Sequence, residues 1–257
     1  MKKFTTNNYF LYSLGIITVI LLWILFSYTL GNGNLYFPTP IETFKKLGEL
    51  LSGSYIYISI GWTLLRTLIG FFASLLVAAI FGLLAGSFHS VYLFLKPLVT
   101  VMKSIPTAAL VFLFLVLSGS RFAPVYIVFL LSFPILYESI VGGVKSVPQD
   151  INDLLKIDTN GRLKPILMVK VPIAVPYILV GLASSFALSL KTTIMAEIIT
   201  GDTGAGLGNA IRAYRSLDPT DLSPIFAISL IAIVMILLVD LIGILVEKKF
   251  KNANIIG

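Results

Sequence analysis

These 257 residues predict an all-α membrane protein with six transmembrane helices and both termini on the cytoplasmic side. The composition is 57% hydrophobic and 12% charged, whereas a soluble domain is ~45–50% apolar and ~25% charged. Mean hydropathy is +0.97, more apolar surface than a water-soluble chain could hide behind so few charges. The apolar stretches run ~20 residues or longer, unlike the ~10-residue alternating segments of an outer-membrane barrel. Intrinsic disorder is excluded by the same composition.

Lys2 and Lys3 precede an apolar run over about 10–30. The run exceeds a signal-peptide core and no small-residue cleavage site follows, so it reads as a retained first span. Gly31-Asn32-Gly33-Asn34 is a turn cluster, and Pro38-Thr39-Pro40 opens a short amphipathic segment from Ile41 to Leu51. The second span, about 58–87, is rich in Gly and Ala, which lets helices approach closely in a bilayer. A third span over about 91–117 is interrupted by Lys103 and Pro106, and Gly119-Ser120-Arg121 connects it to a fourth, about 124–144. A polar loop over 145–170 leads to the fifth span, about 171–200. A loop from Gly201 to Asp221 separates that from the sixth, about 222–246. The six spans form one domain, 1–257, without an obvious inverted repeat.

Charge orients this bundle. Lys2, Lys3, Lys96, the basic residues of the 145–170 loop and Lys248, Lys249 and Lys251 fall on one side. Only Lys45, Lys46, Arg121, Arg212 and Arg215 fall on the other. The positive-inside rule places the first group in the cytoplasm, and it accounts for the net charge of +7 without a nucleic-acid partner. With no cysteine and a single histidine, His89, there is no thiolate site, disulfide or histidine metal cluster.

Ionisable residues inside a membrane usually face a bundle interior, an aqueous cavity or one another. Arg66 and Asp240 lie near span ends, from which long side chains reach an interface. Lys103 and Lys191 sit well inside apolar stretches and either line a pathway or pair with a carboxylate. Glu197 follows Lys191 by six residues and so lies on another helix face. Any pairing of these groups is therefore between helices. Glu138 and Glu197 make no acid–base dyad, since nothing in the sequence brings them together.

The sequence carries no G-x-x-x-x-G-K-[ST] phosphate loop. Leu51-Ser52-Gly53-Ser54 and Leu117-Ser118-Gly119-Ser120 begin like an ATPase signature but do not continue as one. The 145–170 loop is more specific. Val147 to Arg162 suggests a short amphipathic helix turning at Asn160-Gly161, and a second short helix stopped at Pro172. Such an element suits either docking in a protein groove or lying on the membrane surface.

That loop resembles the "EAA" loop of ABC importer permeases, the binding-protein-dependent inner-membrane components. Asp153-Leu154-Leu155 stands at the E-A-A positions, Thr159 at the glycine and Val171-Pro172 at the Leu-Pro, all at the family spacing. Lys103-Ser104-Ile105-Pro106, Phe133-Pro134-Ile135-Leu136 and Lys191 to Glu197 followed by Gly204-Ala205-Gly206-Leu207-Gly208 resemble further family segments. The set looks most similar to the nitrate/sulfonate/taurine-type branch and covers about residues 55–250. The resemblance implies a multi-pass subunit of a bacterial cytoplasmic membrane with no ATPase site of its own. A second copy of the chain would complete the substrate pathway. ATP and Mg would reside on cytosolic ATPase subunits, and an extracytoplasmic binding protein would deliver a small anionic or polar solute of the sulfonate, nitrate or vitamin-precursor type. The ATPase-coupling residues would be Asp153, Leu154, Leu155, Lys156, Thr159, Asn160, Gly161 and Arg162. The competing readings are an ion-coupled secondary transporter, in which the intramembrane charges relay protons or ions, and an integral membrane enzyme, for which no carboxylate or histidine cluster is present.

Overall fold

The computed structural model describes residues 8–30, 37–151, 166–201 and 204–253. Helices dominate them, as an apolar solvent demands, because a helix satisfies its own backbone hydrogen bonds. The helices are α1 (Asn8–Leu30), α2 (Pro40–Ser52), α3 (Ser54–Ser87), α4 (His89–Ser104), α5 (Thr107–Lys145), α6 (Val171–Thr200), α7 (Leu207–Leu217) and α8 (Ser223–Ala253). A π turn, Ile166–Lys170, leads directly into α6.

Helix α1 is apolar on every side and almost wholly exposed within the protomer, which suits a lipid-facing span. Two hooks hold it. Trp23 Nε1 donates to Pro38 O at 3.1 Å, and Ser27 Oγ donates to Phe37 O at 3.0 Å. Phe226 of α8 stacks on Trp23 at 5.8 Å and meets Phe37 edge-on at 5.0 Å. Helix α2 is the expected amphipathic segment. Thr39 and Glu42 form a capping box with Pro40 in the first turn, a combination that fixes a helix start. Its Leu50 packs with Ile56, Leu207, Ala227 and Ile228.

The centre of the bundle is α5 packed between α3 and α6. Small residues permit the closeness. At Gly70 an added Cβ would lie 2.7 Å from Val125 O, and at Gly82 it would lie 2.9 Å from the Ile140 side chain. Phe71, Ala78 and Ala85 of α3 then interlock with Val128, Leu136, Ile140 and Val144 of α5 and Ala174 of α6. Two hydroxyl pairs cross the same contacts, Thr67–Thr193 and Ser132–Ser189, each at 2.7 Å. Polar side chains paired between helices in this way add to packing inside a bilayer.

The six-span expectation meets a different division of the chain. Five described helices are long and apolar enough to cross a membrane: Phe10–Thr29, Ser54–Ser87, Thr107–Lys145, Met168–Thr200 and Ser223–Leu245. The expected third span, 91–117, is not one helix. It breaks at Ile105 (φ −72°, ψ 125°), ahead of Pro106, because the residue before a proline is driven out of the helical region. Its first part, α4, has 16 residues, ~24 Å of helix against ~30 Å of hydrocarbon. Its second part belongs to α5, whose 39 residues are broken at Gly119 (φ 75°, ψ 167°), a backbone state open to glycine. The two pieces of α5 are thus 107–118 and 120–145.

Two smaller expectations are corrected. Pro172 stops no helix; it occupies the first turn of α6, where its missing N–H is not needed. The expected loop 201–221 contains α7, which begins at Leu207, after α6 has ended at Thr200 with the left-handed Gly201 (φ 67°) as its cap. Beyond α7 the Asp218 carboxylate accepts from Thr220 Oγ1 and from the Thr220 and Asp221 backbone N–H groups. These donors hold its carboxyl below the ordinary aspartate range, so this turn loosens as pH falls through that lowered value.

Replacing Gly82 with Leu is expected to force α3 away from Ile140 and to cost about 1–3 kcal/mol of stability. Thermal unfolding of the purified protein in detergent measures it, and an unchanged midpoint would contradict the close contact.

Candidate functional site

Glu197 is at the centre of the most elaborate polar cluster in the described residues. It lies in the last turn of α6 and is 1% exposed. Arg66 of α3, 5% exposed, donates from Nη1 to Glu197 Oε1 at 2.7 Å and to Ala205 O at 2.9 Å. Thr63, one turn before Arg66, donates to the same carboxylate at 2.9 and 3.1 Å. The Gly208 N–H donates to Glu197 Oε2 at 3.0 Å, and the Leu207 N–H to Thr63 Oγ1 at 2.8 Å. Those two N–H groups open α7, so residues from α3 and α6 cap a third helix whose positive end favours a carboxylate.

The glycines of Gly204-Ala205-Gly206-Leu207-Gly208 have a physical reason here. A Cβ on Gly206 would lie 2.7 Å from the Glu197 carboxylate carbon, and one on Gly208 would lie 2.6 Å from Glu197 Cβ. Only a bare backbone brings the α7 N-terminus this near. Arg66 was expected to reach the membrane interface. It is buried instead, because Glu197, Ala205 O and the Trp62 ring at 5.7 Å supply an internal partner for its charge.

The structure also joins Lys103 to Glu138. Lys103 Nζ donates to Glu138 Oε2 at 2.6 Å and to Oε1 at 2.8 Å, connecting the end of α4 to α5. Unlike the Glu197 cluster, this pair is open, its side chains 46% and 52% exposed. Lys191 joins neither pair. It is exposed on α6, without an ion pair among the described residues, within a stripe that includes Tyr177, Val180, Ser184, Leu188 and Ile198. Asp240 is half-buried on α8, and His89 is the exposed first residue of α4. The loop positions Asp153, Leu154, Leu155, Lys156, Thr159, Asn160, Gly161 and Arg162 lie outside the described residues.

Two features escaped the sequence reading, and each had a signal. Leu207, Ala210, Ile211, Tyr214 and Leu217 recur at helical spacing, which marks α7. Thr63 and Arg66 lie three apart and so share one face of α3, a spacing that puts two donors together without naming the group they meet.

Removing one partner of a buried pair strands the other charge. Glu197→Leu is expected to destabilise the protein by about 3–5 kcal/mol, and adding Arg66→Leu to recover part of the loss. Thermal unfolding of the two single variants and the double variant measures this, and strictly additive losses would contradict the coupling.

The model of the family described as "Binding-protein-dependent transport system inner membrane component" matches residues 74–252. The nitrate import permease protein NrtB of Leptolyngbya laminosa is 29% identical over 221 residues, 81% of this chain and 77% of that protein. The bicarbonate transport system permease protein CmpB of Synechococcus elongatus is 28% identical over 208 residues, 75% of this chain and 73% of that protein. Among solved structures, a chain of the MetNI methionine ABC transporter in inward-facing conformations aligns with a TM-score of 0.67 at 13% identity, over 76% of this chain and 96% of that one. A chain of an amino acid ABC transporter solved with histidines aligns with a TM-score of 0.62 at 21% identity, over 81% and 97%. These two likenesses concern the fold. With a family match across most of its length and several helices long and apolar enough to cross a membrane, the chain belongs to the binding-protein-dependent transport system inner membrane components, the permease subunits of ABC importers.

Proposed function

We propose that this permease imports a small oxyanion of the nitrate or bicarbonate kind, as one of two identical subunits that enclose the pathway. The observation that carries the reading is the likeness, over 81% and 75% of the chain, to a nitrate permease and a bicarbonate permease. Both cargoes are small planar oxyanions, so a common chemistry is implied. The exposed Lys191 supports it. An ammonium group facing lipid at membrane depth is unfavourable, whereas one facing an aqueous pathway between two subunits attracts an anion.

The resemblance of the 145–170 segment to an ATPase-docking loop supplies the drive. Asp153, Leu154, Leu155, Lys156 and the Thr159 to Arg162 turn would seat in a cytosolic ATPase. That partner would carry ATP and Mg, and an extracytoplasmic binding protein would supply the anion. Closure of the ATPase pair would then rock the spans as rigid bodies, opening the pathway alternately to either side. For this topology α4 with residues 107–118 forms the third crossing, broken at Ile105–Pro106, and residues 120–145 form the fourth. Six crossings then return both termini to the cytoplasm, in keeping with the basic residues at each end.

The test is uptake by proteoliposomes holding the permease, its ATPase and its binding protein. ATP-dependent accumulation of isotopic nitrate or bicarbonate is expected. Uptake without ATP, driven by an ion gradient, would replace this reading with a secondary transporter. Asp153→Lys is expected to abolish co-purification of the ATPase while leaving the protein in the membrane; undiminished co-purification would remove the docking role. A reporter fused after Gly257 is expected to read cytoplasmic, and an external signal would overturn the six-crossing topology.

A further inference from the structure

Between α4 and α5, beside the Lys103–Glu138 pair, lies a cleft of about 350 Å³. Its polar lining is Tyr92, Lys96, Thr100, Tyr137, Glu138 and Lys145. The charge there is uneven. Two lysines, Lys96 and Lys145, line the cleft with one glutamate, Glu138, whose carboxylate is already held by Lys103 from just outside. Lys96 and Lys145 form no ion pair among the described residues. The Lys145 ammonium sits 3.2 Å from the centre of the Tyr92 ring, a contact that steadies a cation without neutralising it.

Tyr137 is the independent observation. It is 2% exposed, and its hydroxyl has no hydrogen-bond partner among the described residues. Its ring is fixed by stacking on Phe133 at 5.9 Å and by the core of α3 and α5. A buried hydroxyl without a partner is costly, and phenylalanine would fill the same space without that cost. Tyr137 also lines the cleft, so a buried donor without a partner stands in the wall of a site that carries more positive than negative charge. Thr100 is not a competing donor, since its hydroxyl donates to Lys96 O at 2.9 Å.

We propose that this cleft is a binding site for the oxyanion group of a small anion, with Lys96 and Lys145 supplying charge and Tyr137 supplying a neutral hydrogen bond. Charge-assisted bonds from lysine and a directional bond from a phenol suit an acceptor with several oxygens. The cleft opens where α4 begins and α5 ends, the end of the bundle from which the 145–170 segment leaves. Two sources present that chemistry there: the transported anion, and the headgroup of an anionic phospholipid. The site rests on the residues lining the cleft and does not depend on which solute is imported.

The test uses the permease–ATPase complex in nanodiscs, without ATP or binding protein, so that binding is read apart from transport. Sodium nitrate and sodium bicarbonate are titrated in phosphatidylcholine discs with sodium chloride holding ionic strength constant. Phosphatidylglycerol retention is read by native mass spectrometry from mixed discs. If the anion is the occupant, Lys96→Gln with Lys145→Gln weakens nitrate or bicarbonate binding by about tenfold or more, and Tyr137→Phe weakens it by a smaller factor. If the headgroup is the occupant, the same variants lose phosphatidylglycerol instead. Tyr137→Phe is expected to melt no lower than the unmodified protein, which separates loss of a ligand bond from loss of fold. Should the variants fold and retain both nitrate or bicarbonate and phosphatidylglycerol as before, or should the unmodified complex bind none of the three, the site does not exist.

Discussion

One buried carboxylate organises the end of this bundle. Glu197 accepts from Arg66, from Thr63 and from the Gly208 backbone, so α3, α6 and the start of α7 share a single group. Glu197 is buried, so a bond lost from this cluster leaves a polar group without an answer, and its members depend on one another. It also dictates local sequence. The glycines at 206 and 208 are there because the carboxylate is, and α7 starts where it does because its first N–H groups are capped from outside the helix.

Away from that cluster the bundle depends on thinness more than on bulk. Lipid tails are as apolar as leucine, so burying apolar surface between two membrane helices gains little by itself. Contact has to come from close approach, and α3 supplies it with glycine, alanine and serine facing the branched side chains of α5. Large apolar residues are directed outward in great number, where hydrocarbon or a partner subunit receives them. The two ion pairs that join different helices among the described residues divide the same way. Arg66–Glu197 is sealed and serves the fold, while Lys103–Glu138 stands open beside a cleft.

Much of the fold was legible because the bilayer imposes a length and a composition that a sequence displays directly. The apolar helices expected as spans one, two, five and six lie close to the expected boundaries. The third and fourth were harder, since Pro106 breaks a helix outright while Pro124 and Pro134 are accommodated inside one. The difference lies in what each proline meets. Pro134 is buried in the packed middle of α5, where neighbouring helices hold the chain, whereas Pro106 follows a short helix with exposed polar ends. For the site, spacing along one helix could show that Lys191 and Glu197 point apart, but not that Arg66 is the partner. That pairing joins residues 131 positions apart, and no local pattern reports it. Lys103 and Glu138 raised the same difficulty across 35 positions.

The Arg66–Glu197 pair also sets a problem of timing. The ribosome delivers α3 to the membrane well before it has made α6. During that interval Arg66 is a cation in a membrane segment whose counter-charge does not yet exist, a cost that reaches about 2.5–3.5 kcal/mol for an arginine at the centre of an inserting helix and is smaller toward its end. The apolar residues of α3 can carry that burden, but the nascent helix gains by staying beside the insertion machinery or near the water interface until Glu197 emerges. Biogenesis of this chain is therefore not a simple queue in which each helix settles as it arrives. The third helix is completed by the sixth, and a ribosome stalled between them would leave an intermediate marked by an unanswered positive charge.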